Sequence, residues 1–101
     1  MTDIFVDGMN SQGTYAGAFE ADDAVSWFYL HDLGSEPGGK IVGAVQVYRG
    51  VPDFVESDVQ IRWYDDETKV GVFIKGQLGA HFDLVSGWGL PGSYSGGRPN
   101  A

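Results

Sequence analysis

The stretch DVQIRWYDDETKVGVFIKGQLGAHFDL, residues 58–84, decides the fold. Apolar side chains occupy every second position in two segments of it: Val59, Ile61 and Trp63, then Val70, Val72 and Ile74. This alternation is typical of β-strands that bury one face. The acidic run at residues 65–67 predicts the turn between them, because Asp hydrogen-bonds its own backbone. The stretch therefore predicts an antiparallel pair of strands.

A third strand follows this pair. A two-residue turn of type II′ is predicted at Gly76 and Gln77, because glycine tolerates the positive φ that the first position requires. The alternation then continues on the far side of the turn at Leu78, Ala80, Phe82 and Leu84. The three strands together predict an antiparallel meander.

The preceding half of the chain is also predicted to consist of strands. Strand patterns begin at Ile4 and cover 14–19, 26–31 and 40–48, with an acidic turn at residues 20–23. The strands around 27–30 and 41–48 are apolar on both faces, which indicates cover on two sides. Helical periodicity is almost absent. We predict an all-β, mainly antiparallel fold of about six or seven strands, curled into a half-barrel or a two-layer sandwich.

The amino-acid composition of the sequence changes at residue 87. The last fifteen residues include five glycines and two prolines, a composition that is costly to order. We predict one β domain at residues 1–86 and a flexible tail at 87–101, whose first part Trp88, Leu90 and Tyr94 could hold against the sheet. Glycines at 87, 89 and 92 match a dinucleotide fingerprint only formally, since no helix or βαβ unit accompanies them.

Composition limits the classes of function. The 101-residue chain has 14 acidic and 6 basic residues, a net charge of −8 and no cysteine. Disulfides and thiolate catalysis are therefore excluded. The charge disfavours nucleic acid and anionic membranes. It fits either a means of keeping the protein soluble or a surface that meets a basic protein partner. The start of the chain lacks the pattern of a secretory signal, and no apolar run is long enough to span a bilayer, so we expect a cytoplasmic location.

The most catalytic-looking residues are His81 and Asp83. Residues two apart on a strand share a face, so this carboxylate could orient the imidazole as a general base. No nucleophile accompanies them, and a structural or surface role is the preferred interpretation. The acidic runs at 20–23 and 65–67 lack the EF-hand pattern and are interpreted as solvated turns. We expect no metal and no cofactor.

Six aromatic residues are candidates for a ligand or partner surface: Trp27, Tyr29, Tyr48, Trp63, Tyr64 and Trp88. On strands such residues are mostly core and cross-strand partners. The chain has more aromatics than a core of this size needs, so one face could present an aromatic patch of the kind that marks binding surfaces.

Four features of the sequence occur together: an aromatic strand at 27–30, a strand ending in Tyr48, Trp63 before an acidic turn, and a hairpin leading to Phe82 and Asp83. In these features the chain resembles a small bacterial family, domain of unknown function 2251. The resemblance covers roughly residues 20–84 and supports the fold. The family pattern has a histidine where this chain has Gly79, and an aliphatic residue at position 81. The resemblance implies no established activity, catalytic residue or cofactor.

For function, the sequence favours a non-enzymatic acidic module that binds another protein, in the manner of an immunity protein or regulator. A small-molecule-binding β domain with an aromatic cleft is the alternative, and an enzyme using His81 and Asp83 comes third. A homodimer stays open, because a second subunit could cover the doubly apolar strands.

Overall fold

The computed structural model describes residues 3–34 and 39–92, which form two antiparallel four-stranded sheets. Sheet I contains β1 (Ile4–Met9), β2 (Tyr15–Ala21), β3 (Val25–Asp32) and β4 (Lys40–Arg49). Sheet II contains β5 (Val59–Tyr64), β6 (Lys69–Ile74), β7 (Gln77–Asp83) and β8 (Trp88–Pro91). A 3₁₀ turn, Glu56–Asp58, precedes β5. The predicted all-β antiparallel fold is confirmed, with eight strands in the described part instead of six or seven.

Both sheets are simple meanders, because each strand pairs with its neighbour in sequence. The sheets face each other, with β1 near β5, β2 near β6, β3 near β7 and β4 near β8. They remain separate sheets and do not close into a barrel. Of the two architectures that the sequence left open, the structure is the two-layer sandwich.

The core lies between the two sheets. Its largest fully buried apolar side chains are Phe19, Phe28, Val70, Val72 and Ile74. Phe28 crosses the interface to Phe82, with 5.3 Å between the ring centroids. Phe54, from the connection between β4 and β5, packs on Phe19 and on Tyr48 and closes one end of the core. The alternation in residues 59–74 correctly identifies the inner faces of β5 and β6.

The hairpin between β6 and β7 differs from the prediction in its turn. The two loop residues are Lys75 and Gly76, with φ of 52° and 81°. Positive φ at both central residues defines a type I′ turn, whose twist suits paired strands. The predicted type II′ turn at Gly76 and Gln77 is therefore wrong in type and displaced by one residue.

A β-bulge in β7 changes the direction of Leu78. The register shifts between Val72 and Phe73, so Leu78 lies opposite Phe73 while Ala80 lies opposite Val72. A bulge adds one residue to one strand and reverses the inside–outside order beyond it. Leu78 is consequently on the outer face of sheet II, and its predicted place on the same face as Ala80 and Phe82 is wrong.

The two strands expected to be covered on both sides have only one covered face. On β3, Ser26, Phe28 and Leu30 are buried, whereas Trp27 and Tyr29 lie half-buried on the outer face. On β4, Ile41 and Val42 are exposed. In a two-layer sandwich each sheet has one inner face, so the prediction of cover on two sides is wrong for the described chain.

The sheet continues beyond the predicted domain boundary at residue 86. The strand Trp88–Pro91 pairs antiparallel with β7, so the first part of the predicted tail belongs to sheet II. Gly89 lies opposite Phe82, and a Cβ there would stand 2.6 Å from the Val45 side chain and closer still to the Phe82 ring. This glycine permits close packing. The rest of the predicted tail, 93–101, lies outside the described residues.

Candidate functional site

A cleft of about 360 Å³ opens at one end of sheet I, beside the turn between β2 and β3. We call it the acidic cleft. The residues that define its chemistry are Asp3, Phe5, Glu20, Asp22, Trp27 and Glu56. Asp3 and Asp22 also border an adjoining hollow that adds Asp23. Carboxylates from several separate segments of the chain therefore converge on one aromatic-walled depression.

Strand register builds the centre of the cleft. Phe5 on β1 lies opposite Glu20 on β2, and Glu20 lies opposite Trp27 on β3. Directly opposite residues have Cβ atoms about 4.5–5.5 Å apart and point to the same face. Their neighbours Ile4, Ala21 and Phe28 are buried, so this row faces outward. The result is one carboxylate between two aromatic side chains.

Tyr29 holds the Glu20 carboxylate in place. Tyr29 follows Trp27 by two residues on the same face, and the two rings stack with 6.5 Å between centroids and 19° between planes. The Tyr29 hydroxyl donates a hydrogen bond of 2.6 Å to Glu20 Oε1, and this bond raises the pKa of Tyr29 to about 12. Glu20 is exposed, and a carboxylate has about four acceptor positions. It therefore keeps acceptor capacity toward the cleft.

Backbone donors organise two further carboxylates. Asp22 Oδ1 accepts hydrogen bonds from the amides of Ala24 at 2.8 Å and Val25 at 2.9 Å. These bonds lower the pKa of Asp22 below its ordinary value, so it stays charged to lower pH. Glu56 Oε1 accepts a longer bond of 3.4 Å from the Phe5 amide. Asp22 occupies the predicted acidic turn, whereas Glu20 belongs to β2.

Among the described residues, the side chains that line the cleft include carboxylates but no cation. Arg49 is a nearby cation by register, because it lies opposite Val25 on the neighbouring strand. Lys69 pairs with Asp65 at 3.0 Å, at the other end of the sandwich. Several carboxylates with one sign of charge give the cleft a local negative potential.

The six aromatic candidates do not form one surface. Trp27 lines the cleft, and Tyr29 stacks on it. Tyr48 is 8% exposed and faces the core. Trp63 is half-buried, and its indole nitrogen donates to the Gly8 carbonyl at 3.1 Å, which ties β5 to β1. Tyr64 packs against Phe73 on the outer face of sheet II.

Trp88 is placed in β8 by its backbone, and its side chain lies outside the described part. Of the five candidates whose side chains are described, Trp27 lines the cleft and Tyr29 contacts Trp27 beside it.

His81 and Asp83 share the outer face of sheet II, as their spacing predicts. Asp83 Oδ1 accepts hydrogen bonds from the amides of Val85 at 2.9 Å and Ser86 at 3.3 Å, so it organises the turn before β8. Imidazole Nδ1 of His81 is buried and has no hydrogen-bond partner among the described residues. The pair lies on the opposite sheet from the acidic cleft.

The second acidic run forms a turn, as predicted. Asp65, Asp66 and Glu67 have φ of 52°, 55° and 63°. Glu67 accepts hydrogen bonds from the amide and hydroxyl of Ser11, the latter at 2.7 Å, which joins this turn to the one between β1 and β2. In residues 3–34 and 39–92, no group of three or more His, Asp or Glu side chains could hold a metal ion.

Most members of the cleft are not predicted from the sequence. No sequence pattern marks Asp3, Phe5 or Glu56 as a site residue, and the acidic run that contains Glu20 and Asp22 is interpreted as a solvated turn. Phe5 and Glu20 are 15 positions apart in the chain, and only the pairing of β1 with β2 brings them together. The alternation in each strand does indicate which residues face outward. It does not show which outward-facing residues of different strands are neighbours, because that depends on the register.

Fold and cleft together define a two-layer antiparallel β-sandwich protein with an acidic, aromatic surface site. The model of a family described as "Uncharacterized protein conserved in bacteria (DUF2251)" matches residues 2–92, so the chain belongs to that family, as its resemblance indicates. A search of curated proteins finds no match, and a search of solved structures finds none. Among the described residues, no helix has the length and apolar character needed to cross a membrane.

Proposed function

We propose that this protein is a non-enzymatic interaction module that binds a basic protein partner through the acidic cleft. The observation that carries the proposal is the composition of the cleft. Four carboxylates, from Asp3, Glu20, Asp22 and Glu56, converge there with two aromatic side chains, and no Lys or Arg of the described chain lines it.

Charge and exposed aromatic area support a protein partner. A net charge of −8 steers a basic partner toward the protein and speeds association. Phe5 is 56% exposed at the edge of the cleft, and Trp27 is half-buried beside it. Aromatic residues are enriched in protein interfaces because they bury large areas at low entropic cost.

The placement of the catalytic candidates supports a non-enzymatic role. Asp83 Oδ1 already accepts two backbone hydrogen bonds in a turn. His81 and Asp83 lie on sheet II, whereas the cleft belongs to sheet I. A general base has to stand within hydrogen-bond reach of bound substrate. Neither residue meets that condition for a ligand in the acidic cleft.

A small-molecule site is the second candidate, because the volume of the cleft, about 360 Å³, lies within the range of ligand pockets, roughly 300–1,000 Å³. The carboxylates would select an organic cation. Such pockets bury most of their ligand and are lined mainly by apolar groups. Here the carboxylates and Phe5 are exposed, which fits a protein surface better.

The test is a capture experiment from a lysate of the source bacterium at low and high salt. Raising the salt from 0.1 to 1 M shortens the screening length from about 10 to about 3 Å. Three chains are compared: the unmodified protein, a cleft variant carrying Asp3→Asn and Glu56→Gln, and a control carrying Asp66→Asn and Glu67→Gln. Both variants lose two negative charges, but the control changes a turn at the opposite end.

We expect one basic protein, bound in stoichiometric amount at low salt and released at high salt. The cleft variant should retain less of it, and the control should retain as much as the unmodified chain. Capture of no partner at either salt would contradict the proposal. Equal losses in both variants would show that total charge, and not the cleft, governs binding.

A further inference from the structure

We infer that the acidic cleft takes an arginine side chain of the partner, with its guanidinium against the Trp27 ring and hydrogen-bonded to Glu20. This inference rests on the proposed function and specifies its chemistry. It depends on the cross-strand row in which Glu20 lies between Phe5 and Trp27. A cation that enters this row meets an aromatic ring and a carboxylate at once.

The carboxylate is oriented before any ligand arrives. The Tyr29 hydroxyl donates to Glu20 Oε1 at 2.6 Å, and Tyr29 itself stacks on Trp27. An oriented acceptor loses less side-chain freedom on binding than a free one. Tyr29 acts as a positioning residue here, because it fixes the group that would contact the ligand.

A guanidinium suits this arrangement better than an ammonium. Arginine is planar, stacks on aromatic faces and presents a fork of donors to a carboxylate, whereas lysine is a strongly hydrated point charge. Tryptophan is the best aromatic partner for a cation. Ring and carboxylate side by side therefore match the two surfaces of a guanidinium, its face and its edge.

A related arrangement occurs within the chain, on the outer face of sheet II. The Arg62 guanidinium lies over the Phe73 ring, 4.9 Å from its centroid. Its Nε and Nη2 both donate to Gln60 Oε1, at 3.0 and 2.6 Å. An outer sheet face can therefore hold a guanidinium that stacks on an aromatic ring and donates hydrogen bonds from its edge. At the cleft, the acceptor is charged and the arginine has to come from another molecule.

The test uses the full chain labelled with ¹⁵N and three short capped peptides that differ at one central residue. That residue is arginine, lysine or citrulline, the last being a neutral analogue of arginine. Binding is followed by the indole N–H resonance of Trp27. The indole of Trp63 donates to the Gly8 carbonyl away from the cleft and serves as the internal reference.

We expect the arginine peptide to shift the Trp27 resonance saturably and to leave Trp63 unmoved. The lysine peptide should bind about two- to fivefold more weakly, and the citrulline peptide should produce no saturable shift. Glu20→Gln should weaken the arginine peptide by about threefold or more, whereas Asp66→Asn should not. Tyr29→Phe keeps the ring and should reduce the preference for arginine over lysine.

Three outcomes would overturn the inference: no saturable shift of Trp27 with the arginine peptide, equal affinities for arginine and lysine, or equal effects of Glu20→Gln and Asp66→Asn. Spectra of each variant report whether it is folded. The capture experiment alters Asp3 and Glu56 and leaves Glu20 intact. A salt-sensitive partner lost in that variant, together with failure of the arginine peptide, would sustain the proposed function and remove this inference alone.

Discussion

Single polar residues determine several local features of this protein. Asn10 is 7% exposed, and its side-chain oxygen accepts hydrogen bonds from the amides of Thr14 at 2.9 Å and Tyr15 at 3.3 Å. Its side-chain nitrogen donates to the Thr14 hydroxyl at 2.9 Å. The buried side-chain amide therefore makes the hydrogen bonds that water would otherwise make to the backbone of the turn between β1 and β2. Buried polar groups are tolerated where they are satisfied in this way.

We predict that Asn10→Ala lowers the free energy of unfolding by about 1–3 kcal/mol, because the two turn amides and the Thr14 hydroxyl lose their partner. Urea unfolding followed by tryptophan fluorescence measures the change. Gln12→Ala is the matched control, since Gln12 is exposed in the same turn. Equal stability of the two variants would show that the Asn10 amide contributes nothing specific.

At the scale of elements, β8 shows how composition can mislead. A glycine-rich segment has a high entropic cost of ordering, yet Trp88–Pro91 forms the fourth strand of sheet II. The Gly92 amide also donates to the Gly79 carbonyl at 2.9 Å. Gly89 leaves room for Phe82 beneath the strand. Pairing with β7 gives the backbone of β8 the hydrogen-bond partners that an unpaired tail would lack.

We predict that a chain ending at residue 86 is less stable than one ending at residue 92. Loss of β8 removes the ladder partner of β7 and uncovers Phe82, at a cost of about 2 kcal/mol or more. Thermal unfolding followed by circular dichroism compares the two chains. The shorter chain should melt at a lower temperature, and identical melting curves would exclude a stabilising role for β8.

At the scale of the whole molecule, stability depends on contact between the sheets. Phe28 of sheet I is fully buried against Phe82 of sheet II. A chain of this size has a net stability of only about 5–15 kcal/mol. A few interior rings therefore account for a large share of what keeps the two layers together.

We predict that Phe28→Ala reduces the free energy of unfolding by about 3–5 kcal/mol, because it leaves a cavity between the sheets. Phe5→Ala removes the same group from a ring that is 56% exposed, and should cost about 0.5 kcal/mol or less. Urea unfolding of both variants tests the pair. Similar losses would mean that Phe5 is packed as tightly as Phe28.

The position of a residue can be predicted from the sequence when it depends on neighbours in the same segment, and not when it depends on another strand. Val70, Val72 and Ile74 are buried as predicted, because alternation is a local property of a strand with one inner face. Leu78 does not follow the alternation, because a β-bulge between β6 and β7 turns its side chain to the outer face. The spacing of His81 and Asp83 predicts their shared face. The hydrogen bonds that the two side chains make depend on neighbouring residues, which the spacing does not predict.

The sequence by itself determined the β class, the antiparallel meander of residues 58–84 and the excess of negative charge. These follow from period-two alternation, turn chemistry and composition, which are properties of short segments. Only the tertiary structure decided that there are two layers, that Trp88–Pro91 is a strand, and that Phe5, Glu20 and Trp27 form one row. Strand order and register arise from contacts between distant segments, and a one-residue slip would send each side chain to the other face.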